Sequence, residues 1–199
     1  MMMRIIQPKV RLSLEATLKQ LASDGFKENL LHVGRLSNDN WIFYSRFAIV
    51  RMKGIEDLSL AIIKRIVGED NVHLMSESST NRVNEILEVD KDKYKTIIKT
   101  SSLSFYEELT NRTKDEGRFV ECTVDEADDF YLNILKGFDD WIDDEDIRQR
   151  FVPKRLRSLF RLFAHEEVGV SIMLSKENES SVFTSRHITV GVMPLDEVR

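Results

Sequence analysis

Phe151-Val152-Pro153-Lys154-Arg155-Leu156-Arg157-Ser158-Leu159-Phe160 decides the reading of the fold. Pro153 suits the first turn of a helix, where its missing N–H would have no partner anyway. Leu156, Leu159, Phe160 and, further on, Phe163 recur at helical spacing and make an apolar face. Lys154 and Arg157 stand at i, i+3, and Arg157 and Arg161 at i, i+4, so these cations share another side. Such a division predicts a helix packed on a sheet, with Lys154, Arg155, Arg157 and Arg161 presented outward. Cations so placed can hold DNA phosphates without reading bases. The competing reading is a salt-bridged helix turned toward the acids that precede it.

Downstream, residues 168–174 alternate as Val168, Val170, Ile172 and Leu174, the period of a half-buried strand. A polar turn at 175–180 leads to a strand at 182–185. A final strand at 188–193 ends at Pro194, which has no N–H for a ladder. Upstream, residues 118–124 alternate like a strand. Residues 125–138 then predict an acidic helix with Phe130, Ile134, Leu135 and Phe138 inward. The acids from Asp139 to Asp146 read as a solvated loop.

The first fifty residues show a coarsely similar order, a helix and then strands. Residues 3–11 read as a strand or extended arm. Ser13 is a plausible N-cap, Leu14, Leu18 and Leu21 share a helix face, and Gly25 closes the helix. Strands follow at 30–36 and 41–52, joined by the turn Ser37-Asn38-Asp39-Asn40. Residues 55–67 predict a helix stopped by Gly68, 72–75 a strand and 76–81 a polar loop. Residues 83–102 are ambiguous, with a helical turn at Val83, Ile86 and Leu87 and a strand from Tyr94 to Thr100. No residue-level repeat stands out. The fold class expected is α+β, helices packed on antiparallel sheets, with halves at 1–100 and 101–199.

The chain has 199 residues, of which 42% are hydrophobic and 32% charged. These proportions exclude a disordered or collagenous chain. Three prolines and eight glycines leave little room for a flexible linker. No apolar run reaches the ~20 residues that span a bilayer, and residues 1–10 lack a signal peptide's apolar stretch. The expected compartment is therefore the cytoplasm, or the host cytoplasm for a viral protein. The single Cys122 cannot form an internal disulfide, which fits a reducing compartment. Nearby acids disfavour its thiolate, so it reads as a buried, inert residue. The net charge of −5 argues against a uniformly basic binder, yet its distribution matters more. Glu121 to Arg150 carries eleven acids against three cations, whereas 151–164 carries four cations and no acid.

No Gly-rich phosphate loop, His-Glu-x-x-His or paired-cysteine spacing is present. His32, His73, His165 and His187 are scattered and read as surface or satisfied strand residues. Ser185 and His187 flank Arg186, but neighbours along a strand do not define a triad. The 139–146 acids lack the alternation and central glycine of a calcium loop. No catalytic residue, metal or cofactor is expected.

The C-terminal order resembles the end of a DNA sliding clamp, the polymerase processivity factor family. The resemblance rests on the helix 151–160, the strand Val168-Gly169-Val170-Ser171-Ile172-Met173-Leu174 and the strand Ser181-Val182-Phe183-Thr184. It also rests on the closing Val190-Gly191-Val192-Met193-Pro194-Leu195. Bacterial-type clamps close on a similar Val-Met-Pro-Met segment, and Leu195 stands where the second methionine would be. Residues 12–22 and 41–52 resemble the first clamp helix and its strands more weakly, and the middle, 54–146, does not match. A divergent or viral clamp would accommodate a short chain and an acidic helix at 125–138.

The resemblance implies a non-enzymatic homo-oligomer that closes through strand edges around double-stranded DNA and holds it by phosphates. It implies that Val192, Met193, Pro194 and Leu195 belong to a pocket for a peptide of DNA polymerase or another replication protein. The bland reading is that they finish a sheet and its core. Two rival functions remain: an acidic binding or inhibitory protein, such as a viral DNA mimic or adaptor, and an enzyme with working carboxylates. The acids at 139–146 motivate the first rival, and no motif supports the second.

Overall fold

The computed structural model describes residues 8–24, 30–37, 40–55, 58–88, 91–99, 107, 110, 111, 119–124, 130–135, 147–165, 170–175 and 180–194. Helix α1 spans Pro8–Ser23, so 8–11 are helical rather than a strand or arm. Ser13 lies inside α1, buried, and its carbonyl accepts a hydrogen bond from Thr17 Oγ1 at 2.9 Å. The serine expected as the cap thus lies within the helix rather than at its start. Leu14, Leu18 and Leu21 form the buried stripe that their spacing predicts.

Two compact units divide the chain: residues 1–88 with 186–191, and 89–185 with 192–199. The strands of the first are β1 (Leu31–Ser37), β2 (Asn40–Tyr44), β3 (Ala48–Met52), β4 (Val72–Leu74) and β11 (Ile188–Val192). They lie in the order β4-β1-β2-β3-β11. The single strand expected over 41–52 is broken into β2 and β3. Ser45 makes that break: its N–H donates to Ala48 O at 2.9 Å, and its Oγ accepts from Ala48 N at 3.2 Å.

Helix α2 spans Leu60–Val67, capped by Ser59 Oγ, which accepts from Ile62 N at 3.3 Å. Gly68 ends it at φ 101°, as its position predicts, because a side chain there would be strained. Ser76 opens a further helix, α3 (Glu77–Glu85), where a polar loop was expected. Its Oγ accepts from Ser79 N at 3.2 Å, so the serines that look like loop residues act as a cap. Helix α3 presses onto the sheet at two glycines. A Cβ on Gly34 would stand 2.5 Å from Thr80 Oγ1, and one on Gly191 would stand 2.8 Å from Leu87 Cδ2. Val83 and Leu87 bury against Ile42 and Ile49 there. Arg51 Nη1 reaches Asn84 Oδ1 at 3.0 Å and Glu88 Oε1 at 2.6 Å, and Nη2 donates to Thr189 Oγ1 at 3.3 Å.

In the second unit, β5 (Tyr94–Lys99), β9 (Val170–Ser175) and β10 (Ser181–Thr184) lie in the order β10-β9-β5. Tyr94 Oη donates to Ser180 O at 3.0 Å. Strands β6 (Phe119–Val124), β7 (Phe130–Leu135) and β8 (Ile147–Phe151) build a separate three-stranded sheet in the order β7-β6-β8. The acidic helix expected at 125–138 is therefore corrected: Phe130–Leu135 is a strand, paired antiparallel from Val124↔Phe130 to Phe119↔Leu135. Its aromatic and apolar residues match a helical period, but strand pairing decides. Phe151, expected in the helix, ends β8 instead.

Buried Glu121 pairs with Arg150 (Oε2–Nε 2.9 Å), and Thr123 Oγ1 donates to Glu121 Oε1 at 3.3 Å. Gln149 Nε2 donates to Ser175 O at 2.9 Å, tying β8 to β9. Cys122 is in no disulfide and is fully buried as expected. The acids at 139–146 lie outside the described residues.

The structure exposes a residue-level repeat. Phe43-Tyr44-Ser45-Arg46 and Phe183-Thr184-Ser185-Arg186 end one strand and begin the turn to the next, β2 to β3 and β10 to β11. Upstream of each hairpin a helix begins Pro-Lys and carries Ser-Leu at matching positions: Pro8-Lys9 with Ser13-Leu14, and Pro153-Lys154 with Ser158-Leu159.

Candidate nucleic-acid and peptide-binding surfaces

Helix α4 spans Pro153–Phe160 with proline in its first turn. Leu156, Leu159 and Phe160 are buried, followed by buried Leu162 and Phe163. The Phe160 ring meets Phe183 edge-on at 4.6 Å and Phe163 at 5.5 Å. Phe183 also meets Phe151 at 6.4 Å. These rings seat α4 on β10 and β8 and fix which side points away. Lys154 and Arg161 are exposed, while Arg155 and Arg157 are half-buried. Arg155 has an interaction of its own within the chain. Among the described residues, no ion pair joins Lys154, Arg157 or Arg161 to an acid. Arg157 and Arg161 stand at the C-terminal end of α4, where the helix dipole favours positive charge. The three form a cationic row suited to phosphate oxygens.

The terminal segment divides by burial. Val190 and Val192 are core residues, Met193 is 47% exposed and Pro194 is half-buried. Leu195 lies outside the described residues. Pairing stops after Val192, in keeping with a proline two positions on.

The structure also brings together two of the scattered histidines. Strands β1 and β4 pair in parallel with His32 opposite His73, which sequence spacing could not reveal. Burial, and then the neighbouring charge of His73, pushes the His32 imidazole below its ordinary value. Burial pushes the Tyr44 phenol up.

Solved structures decide the fold. A candidate DNA polymerase III beta subunit from Eubacterium rectale superposes with a TM-score of 0.58 over 95% of this chain and 64% of that one, at 11% identity. The fold is that of a sliding clamp. The clamp from Bartonella birtlesii, bound to griselimycin, matches at a TM-score of 0.52 and 9% identity over 95% and 65% of the two chains. The beta subunit from Thermotoga maritima matches at 0.51 and 12% over 95% and 64%. The chain thus spans less than two thirds of the length of these clamps. No protein-family model matches the sequence, and no curated protein does. The clamp likeness extends over the middle of the chain, beyond the C-terminal motifs that carry it in the sequence. Among the described residues, no helix is long and apolar enough to cross a membrane.

Proposed function

We propose that the protein is a sliding-clamp-like processivity factor without a reaction of its own. Copies of the chain close around double-stranded DNA, and the cations of α4 hold it through phosphates. The segment Val192, Met193, Pro194 and Leu195 receives a peptide from DNA polymerase or another replication protein. The two halves, 1–100 and 101–199, supply equivalent helix-and-hairpin elements to the ring. The observation that most supports this reading is the clamp fold over 95% of the chain. The cationic row of α4, held outward by its buried rings, gives that fold a means of contacting DNA. The acidic-mimic alternative rests on 139–146, and no described feature favours it.

The test is duplex DNA binding measured against salt, with Lys154, Arg157 and Arg161 replaced together by alanine. Each phosphate no longer neutralised should lower the slope of log K against log salt by about 0.9. Weaker binding with a shallower slope and an unchanged melting curve is expected. Unchanged affinity and slope would remove α4 from the DNA surface.

A further inference from the structure

In the first unit, ring side chains line up across three neighbouring strands. His73 on β4 stands opposite His32 on β1, and their rings meet edge to face with centroids 4.8 Å apart. Tyr44 on β2 stands opposite His32 from the other side, its ring centroid 6.0 Å away. Residues directly opposite one another project to the same side of a sheet, so the three form one row. His73 is exposed, and His32 and Tyr44 are half-buried, so the pair opens to solvent at the sheet edge.

We propose that His32 and His73 form a two-imidazole site for a divalent transition ion of the zinc, nickel or copper class. Metal–imidazole bonds of about 2.0–2.1 Å require two rings sharing an ion to stand in near contact, as these do. Imidazole is a suitable ligand for all three ions. The register that sets His32 opposite His73 holds both rings on one side of the sheet, so the two ligands need no rearrangement of the backbone to share an ion. Tyr44 walls the site on the side of His32 away from β4. Among the described residues, no three His, Cys, Asp or Glu side chains come together, so the protein ligands they supply are these two imidazoles.

The site has a mechanical consequence. Strand β4 has only three residues and lies at the edge of its sheet. Beyond it, Met75 N donates to Val33 O at 2.9 Å, and the chain then enters α3. An ion shared by His32 and His73 clips this edge strand to β1.

The probe is Cu²⁺ alone, the tightest binder of the series, added to the full chain without a histidine tag at neutral pH. One ion per chain should bind, with two nitrogen couplings in its electron paramagnetic resonance spectrum. His73→Gln, at an exposed position, should weaken binding by at least about tenfold and remove one coupling. His187→Gln should change neither. The ion should also raise the melting temperature of the parent chain and not that of His73→Gln. Binding that survives His73→Gln unchanged, or a spectrum with fewer than two nitrogens in the parent, overturns the site.

Discussion

Phe163 shows what a single side chain contributes to the orientation of α4. It is fully buried and stacks near Phe160, which in turn meets Phe183. Removing the ring leaves a cavity that a packed core refills only in part. Phe163→Ala should cost about 3–5 kcal/mol in denaturant unfolding. A cost below about 1 kcal/mol would mean an exposed ring and would turn the cations toward the sheet. The apolar pattern of this helix was legible because its burial follows a local period. Glu121 and Arg150 were not legible as a pair. They lie far apart in the chain, and only the β6–β8 register sets them opposite one another. Breaking such a buried pair leaves an uncompensated charge, which marks it as a structural tie rather than a free site. His32 and His73 were likewise not legible as neighbours, since only the parallel register of β1 and β4 joins them.

At the scale of elements, periodicity located most strands and missed where pairing overrides it. Residues 130–135 carry Phe130, Ile134 and Leu135 at a helical interval, yet β6 offers a complementary edge, and the segment pairs along its full length. Serines at 76–79 have loop composition, but Ser76 stands where an orphan N–H needs an acceptor, and a helix begins. The loss of the expected acidic helix also removes a departure from the clamp pattern. The last element, β11 with its tail, carries a functional prediction. Val192 is packed, so it holds the strand, while Met193 offers a flexible, exposed thioether suited to varied apolar peptides. Deleting residues 194–199 should abolish binding of a polymerase-tail peptide with aromatic and leucine anchors, measured by fluorescence anisotropy, with little change in melting temperature. Undiminished peptide binding would place the pocket elsewhere. Unfolding would mean that the tail completes the core.

For the molecule as a whole, the clamp fold was most legible at the C-terminus, where Ser181-Val182-Phe183-Thr184 and Val192-Met193-Pro194 follow a basic helix, and more weakly at 12–22 and 41–52. The repeat of Phe43-Tyr44-Ser45-Arg46 in Phe183-Thr184-Ser185-Arg186 was not legible, because the strand break at Ser45 is a hydrogen-bonding event that composition does not announce. The middle of the chain has no local signature of a clamp, although the fold likeness runs through it. The net charge of −5 does not oppose a DNA-encircling role, since a ring needs cations only where it meets phosphates. Encirclement demands closure, and the proposed ring is closed by copies of this chain. Multi-angle light scattering of the full chain tests this most directly. The clamp reading requires a discrete species whose mass is two or more whole multiples of 23.2 kDa. A strict 23.2 kDa monomer at every concentration, with duplex DNA present or absent, would contradict it.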